Sequence, residues 1–276
     1  RERYTDAVRE FSSLFGADRE VRLFSVPGRS EISGNHTDHN RGCVIAAAVD
    51  LDIIAVASAN GDGKVTVKSK GFPADTVDCH PGEPDEKLFY TSGSLLSGVC
   101  AGFEKRGYRV GGYDAYTTSN VLKGSGISSS AAFEVMIGTV MNHLYNDAVI
   151  TAPVIAEIAQ YAENVYFGKP SGLMDQTACA VGGFSFIDFA DPKAAKIEKL
   201  GFDLSRAGYS LCITNTGGNH ADLNDDYASV PAEMKAVAKE FGREVLRGLT
   251  VEELLARAGE LREKVGDRAI LRAFHF

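Results

Sequence analysis

The chain has 276 residues, 44% hydrophobic and 24% charged, an ordinary composition for one large globular domain or two smaller ones. Its 37 acidic residues against 29 basic give a formal charge of −8, which argues against nucleic acid or an anionic membrane as a partner. The longest apolar run, Cys43–Ala59, is broken by Asp50 and Asp52 and does not read as a membrane span; five cysteines without a C-x-x-C pair point to reduced thiols in the cytoplasm.

Taken in order, residues 2–15 read as a helix with Tyr4, Val8, Phe11 and Phe15 on one side and Gly16 ending it. Residues 21–26 alternate as a strand, and Pro27-Gly28 punctuates it. The next stretch, to Gly42, is dense in polar groups, among them Arg29, Glu31, Asn35, His36, Asp38 and His39. A solvated loop is the plain explanation. A site for a polyol is the sharper one, because hydroxyls are bound by converging carboxylates, amides and imidazoles. Residues 43–59 are β-rich and form one long strand or two, Asn60-Gly-Asp-Gly-Lys64 is a hairpin turn, and residues 65–68 return the strand. Residues 72–86, rich in Pro, Gly and Asp, read as surface loop, residues 88–106 as a helix and residues 113–119 as a strand.

The strand leads into the most informative stretch, Asn120 to Ala132, where Gly124-Ser-Gly-Ile-Ser-Ser-Ser130 empties into a helical pattern marked by Phe133, Met136, Ile137, Val140, Met141 and Leu144. A glycine-serine loop opening a helix presents unpaired N–H groups and the positive end of the helix dipole, so it is a ready anion site. Three hydroxyls exceed what an N-cap requires, which favours a phosphate cradle. It is neither a Walker A loop nor a dinucleotide-binding G-x-G-x-x-G, and the protein kinase motifs are absent.

Residues 153–166 predict another helix, stopped at Gly168. Pro170-Ser-Gly-Leu-Met-Asp-Gln176 follows as a tight turn presenting one carboxylate, then a strand over 182–189 and a domain boundary near 190–195. Beyond it, residues 209–214 predict a strand, 216–224 a polar loop, 230–241 and 251–264 helices, and residues 270–276 a helix still running where the sequence stops. His39 and His220, in polar loops, are secondary candidates for substrate contact.

Together these stretches resemble the galactokinases, within the family of small-molecule kinases that also includes homoserine, mevalonate and phosphomevalonate kinases. Pro27-Gly-Arg with Gly34-Asn-His-Thr-Asp-His39 is similar to the signature P-G-R-x-x-x-x-G-E-H-T-D-Y, residues 124–132 to the phosphate loop G-x-G-L-S-S-S-A, and Gly172-Leu-Met-Asp-Gln176 to G-I-M-D-Q. The sequence departs at Asn35, where the signature has Glu, at His39, where it has Tyr, and at Leu122, where a proline is common.

The resemblance implies an α+β fold of two domains: residues 1–190, like ribosomal protein S5, and residues 191–276, part of a ferredoxin-like domain. It implies ATP-dependent phosphorylation of the anomeric hydroxyl of galactose with Mg²⁺. Asp175 and Arg29 would be catalytic. Asn35, His36, Asp38, Gly172 and Tyr227 would bind the sugar, and Gly124, Ser125, Gly126, Ser128, Ser129 and Ser130 the ATP phosphates. Glu163 would hold the metal with Ser130 or Ser129. Asn35 raises a kinase for another sugar, such as N-acetylgalactosamine or arabinose, as the alternative. A sugar sensor without catalysis is a second, disfavoured by the intact serine run, Asp175 and Arg29. The family's third motif, G-G-G-F-G-G, is absent from residues 196–276. The expectation is therefore a portion of a protein ~100–150 residues longer, weakly active and aggregation-prone alone, with apolar surface bare around residues 196–276.

Overall fold

A computed structural model describes residues 1–121, 126–191, 194–214 and 224–276, the side chains of residues 224, 225 and 227 excepted. The described chain forms two compact units, Arg1–Arg29 with Ala48–Gly182, and Ser30–Ala47 with Gly183–Phe276. Strands β1 (Arg22–Ser33) and β2 (Cys43–Ala59) contribute residues to both.

In the first unit, β2 pairs antiparallel with β5 (Tyr113–Ser119), β5 pairs parallel with β3 (Lys64–Ser69), and β3 pairs antiparallel with β4 (Ala74–Asp78). Side chains alternate across a strand, and β2 uses both faces. Ile53, Ala55 and Ala57 join the main core, whereas Ile54 and Val56 pack with Ala7 and Phe11 of helix α1 (Glu2–Phe15). The main core gathers Leu96, Val99 and Phe103 of α2 (Ser92–Lys105), Val135, Met136 and Val140 of α3 (Ser129–Tyr145) and Ile155, Ile158 and Ala159 of α4 (Ala152–Tyr161). Each fully buried Leu, Ile, Val or Phe contributes about 1.5–3 kcal/mol.

Two close approaches shape this unit around the polar residues. At Gly98 of α2 a Cβ would lie 2.7 Å from Ala162 Cα, so the helix backbone presses against the turn after α4. At Gly28 a Cβ would lie 2.8 Å from the Ile127 carbonyl oxygen, so only glycine lets β1 pass the serine loop. That explains why Pro27-Gly28 does not end the strand as expected: β1 runs on to Ser33.

In the second unit, Cys43–Ala47 of β2 pair antiparallel with β6 (Phe184–Asp188), which pairs antiparallel with β7 (Lys196–Leu200). Helices α6 (Asn224–Glu240), α7 (Val251–Ala256), α8 (Ala258–Val265) and α9 (Asp267–His275) enclose Met234, Val237, Leu254, Leu261 and Ile270. A Thr250–Glu253 capping box starts α7. Phe202, Tyr209, Leu211, Ile213, Val251, Leu255 and Leu271 are exposed in this unit.

Helices and mixed-direction strands make the expected α+β architecture. Local departures have local causes. The loop expected over residues 72–86 contains β4, whose residues alternate only between exposed and half-buried and so carry little apolar signal. The strand expected over residues 209–214 has no ladder partner among the described residues. The helix expected over residues 153–166 changes at Ala162 into a single π turn, Ala162–Tyr166. Among the described residues no helix is long and apolar enough to cross a membrane.

Candidate active site

Helix α5 (Met174–Val181) begins with Asp175 in its first turn, where the helix N-terminus favours a negative charge. The loop before it is pinned by Asn164, whose Oδ1 accepts from the Ser171 N–H at 2.7 Å and from the Ser171 hydroxyl at 3.1 Å. Gln160 Nε2 adds a bond to the Ser171 carbonyl at 3.2 Å.

Arg29, near the middle of β1 and only 6% exposed, grips this aspartate. Its Nε donates to Asp175 Oδ1 and its Nη2 to Oδ2, both at 2.7 Å, while Nη1 donates to the Gly126 carbonyl at 2.8 Å. A guanidinium fork on a carboxylate is among the strongest and most orienting polar pairs in proteins. The Arg29 N–H also donates to the Ile127 carbonyl at 3.1 Å, so backbone and side chain both clasp the serine loop.

Ser128 is where the loop departs most from a simple cap. It occupies the N-cap of α3 yet makes no capping bond; its hydroxyl donates instead to Asp175 Oδ2. It does so from a left-handed backbone with φ 61°, a conformation costing a non-glycine residue on the order of 1 kcal/mol. Strain of this kind is retained where the surrounding structure fixes it.

A second cluster lies beside the first. Glu163 projects from the π turn, and such turns often occur at functional sites. Its Oε1 accepts from the Ser130 hydroxyl at 3.1 Å and from Lys169 Nζ at 2.8 Å, and its Oε2 from Gln176 Nε2 at 2.7 Å. Gln176 also donates to Glu134 Oε2 at 3.3 Å. Glu134 is fully buried on α3, and its Oε1 has no hydrogen-bond partner among the described residues. Burial first, then the charge on Glu163, pushes the Glu134 carboxyl well above the usual carboxylate range, so it is held neutral. Burial would pull the Lys169 ammonium down, but Glu163 outweighs it, with help from Asp175, and the net shift is upward.

The metal expected at Ser130 and Glu163 is a hard cation that takes oxygen donors and keeps several waters. A hydroxyl and a buried carboxylate already in contact fit that donor set. Among the described residues no group of three or more His, Cys, Asp or Glu converges.

The expected residues are thus brought together in two sets within the first unit, Arg29 with Ser128 and Asp175, and Ser130 with Glu163. Ser129 is half-buried at the start of α3, Gly126 supplies the carbonyl for Arg29, and Gly172 is half-buried just before α5. Gly124, Ser125, His220 and the Tyr227 side chain lie outside the described residues.

The remaining sugar candidates belong to the second unit. Asn35 and His36 take left-handed backbones with φ 57° and 53°. Asn35 Nδ2 donates to the His275 carbonyl at 3.2 Å, a bond that the Glu of the signature could not make. The His36 N–H donates to Glu31 Oε1 at 2.8 Å, and Asp38 Oδ1 accepts from the His39 N–H at 2.9 Å. The His39 ring lies against Met234 Sδ at 3.3 Å and is packed rather than presented.

The sequence does not by itself single out Lys169, Glu134 or Gln176. Glu134 did leave a trace, as a carboxylate inside the apolar pattern of α3; Lys169, between Gly168 and Pro170, left none.

The GHMP kinases N terminal domain matches residues 94–183, and the galactokinase galactose-binding signature matches residues 9–59. A galactokinase of Streptomyces coelicolor is 33% identical over 270 residues, covering 95% of this chain and 66% of that protein. The galactokinases of Homo sapiens and Canis lupus familiaris are 31% and 30% identical, with 95% and 98% of this chain and 67% and 68% of those proteins covered. The chain therefore spans about two thirds of the length of these relatives. Among solved structures, Lactococcus lactis galactokinase complexed with galactose superposes with a TM-score of 0.79 at 24% identity, over 99% of this chain and 70% of that one. The mevalonate kinase of Methanococcus jannaschii shares the fold at a TM-score of 0.57 and 14% identity, over 80% of this chain and 72% of that one. The two family matches take in Arg29, Asn35, His36 and Asp38 on one side and the serine loop, Glu163 and Asp175 on the other, and with the similarity to whole galactokinases they establish that the chain belongs to the galactokinase family of GHMP kinases.

Proposed function

We propose that the protein transfers the γ-phosphoryl group of ATP to the anomeric hydroxyl of galactose, giving galactose 1-phosphate, with Asp175 facing that hydroxyl. The observation that carries this reading is the carboxylate itself, held on both oxygens by Arg29, touched by the Ser128 hydroxyl and set at a helix N-terminus beside the serine loop.

Phosphoryl transfer through a loose transition state needs alignment and charge neutralisation more than covalent chemistry. Asp175 accepts the hydrogen bond of the sugar hydroxyl and so aims its oxygen at phosphorus. Its lone pairs are already shared with Arg29 and Ser128, which suits orientation with late proton transfer more than early abstraction. Arg29 stays positive next to the transferring group and stabilises charge as it moves. The loop N–H groups and hydroxyls from Gly124 to Ser130 bind the ATP phosphates. Ser130 and Glu163 would hold Mg²⁺, which would offset the phosphate charge. Asn35, His36, Asp38, Gly172 and Tyr227 contact the sugar, and residues 35–39 are the segment that sets sugar choice. Five unpaired cysteines suit a reducing, cytoplasmic setting.

The test is ADP release by the purified protein across galactose, N-acetylgalactosamine, arabinose and glucose, compared with Asp175→Asn. Galactose should give the highest turnover, and the variant should bind galactose and ATP within a few-fold while kcat falls by at least ~10²-fold. A variant keeping more than a tenth of the wild-type kcat would remove Asp175 from the role; release with another sugar only would move the substrate.

A further inference from the structure

Lys169 has no part in the chemistry derived so far, and its surroundings give it one. It lies between Gly168, at φ 80°, and Pro170, on the connection from the π turn to α5. Its ammonium shares Glu163 Oε1 with the Ser130 hydroxyl, at 2.8 and 3.1 Å. The Glu163 side chain is 2% exposed and that of Lys169 is 45% exposed, so a solvent-facing cation reaches down onto a buried anion. Gln176 covers the other oxygen with a neutral amide, and Glu134 brings no positive charge. Among the described residues Lys169 is the cation paired with Glu163. A buried carboxylate stripped of its partner is strongly disfavoured, so something positive must stand at Oε1 whenever metal does not.

We propose that Lys169 is a built-in stand-in for the divalent cation, occupying Glu163 Oε1 between turnovers and yielding it when metal arrives. The proposal rests on the assignment of Ser130 and Glu163 to the metal. The lysine suits such exchange: its stem is flexible, its exposed face leaves the ammonium a path to water, and a compact ammonium forms no rigid fork with the carboxylate. Two properties follow. Bare divalent cations enter this site poorly because they must displace a charge of the same sign. The metal-free fold depends on Lys169, and the metal-loaded fold does not.

Mn²⁺ serves as the probe, its free fraction read by electron paramagnetic resonance in titrations of nucleotide-free protein. Wild type is compared with Lys169→Met, Lys169→Gln, Lys169→Arg, Glu163→Gln and the Lys169→Met/Glu163→Gln pair. The two neutral Lys169 variants should bind Mn²⁺ about tenfold or more tightly than wild type, since close charge pairs couple on at least that scale. The arginine variant, which keeps the charge and can fork onto the carboxylate, should bind Mn²⁺ no more tightly than wild type, and the double variant should lose the gain. Melting curves give an independent readout. In EDTA the neutral variants should melt below wild type, and added Mn²⁺ should close the gap; a variant that folds only with Mn²⁺ present counts the same way. If Glu163→Gln weakens Mn²⁺ binding while the neutral variants bind no tighter than wild type, the stand-in role is overturned and the metal assignment stands. If Glu163→Gln leaves Mn²⁺ binding unchanged, the metal assignment falls and the stand-in role with it.

Discussion

Replacing Arg29 by lysine separates the charge of this side chain from its shape. Among the described residues the guanidinium makes three bonds at 2.7–2.8 Å, two to the Asp175 carboxylate and one to the Gly126 carbonyl. An ammonium on a lysine stem keeps the charge and can satisfy one carboxylate oxygen, but it cannot span both and also reach Gly126. One charge-assisted bond, worth about 1.5–3 kcal/mol, is lost from the carboxylate. A carbonyl loses its partner, at about 1–3 kcal/mol where water cannot replace it. Because a third of the Asp175 side chain is exposed, water makes good part of this, and the expected loss of stability is about 2–4 kcal/mol. If the fork aligns the carboxylate, kcat should fall by about 10- to 100-fold with smaller changes in KM for either substrate, since 1.4 kcal/mol is a factor of ten. ADP-release kinetics and urea unfolding measure the two effects separately. A lysine variant with more than half the wild-type kcat would mean that charge alone suffices and that the fork has no catalytic consequence.

Ser128→Gly and Ser128→Ala should lose rate together, about 3- to 30-fold in kcat, by removing a hydrogen bond to a charged carboxylate. The glycine variant should be about 1 kcal/mol the more stable, because only alanine retains the left-handed strain; equal stabilities would deny the strain. Asn35→Glu should change KM for galactose more than for ATP, and should destabilise the protein slightly by removing the bond to the His275 carbonyl; equal shifts in both KM values would place Asn35 outside the sugar site. Glu134 has a raised folded-state pKa, so its proton is held more tightly folded than unfolded. Its contribution is intact below the unfolded value near 4.3 and declines as pH rises toward the folded one. Glu134→Gln should therefore gain thermal stability relative to wild type between pH 5 and pH 8, and a pH-independent difference in Tm would refute the buried neutral acid.

The elements that were legible are those whose own residues report burial. The stripe through Met136, Ile137 and Val140 marks α3, and the continuous apolar run Ile53–Ala57 marks β2, a strand buried on both faces. The pairing of Arg29 with Asp175, residues 146 apart, is invisible to any local window and was reached only through motif resemblance. The π turn escapes the sequence because the 3–4 spacing of apolar residues runs on through Ala162 to Val165, whereas the turn shifts the phase, burying Tyr166, exposing Val165 and carrying Glu163. Pro27-Gly28 misled for a physical reason: glycine there makes room for the Ile127 carbonyl, not for a reversal of the chain. Lys169 could not be read at all, since a lysine between glycine and proline looks like any surface residue until its partner is known.

Helix α5 carries Asp175 and Gln176 on consecutive positions of its first turn. Neighbours on a helix point about 100° apart, so one short rod turns Asp175 to Arg29 on one side and Gln176 to Glu163 on the other. On the roles proposed for Asp175 and Glu163, this rod gears the sugar side of the site to the metal side. A roll of α5 that swings Asp175 away from Arg29 must also tug Gln176 against Glu163 and Glu134. On the proposed roles, acceptor and donor ends would then fall out of alignment together.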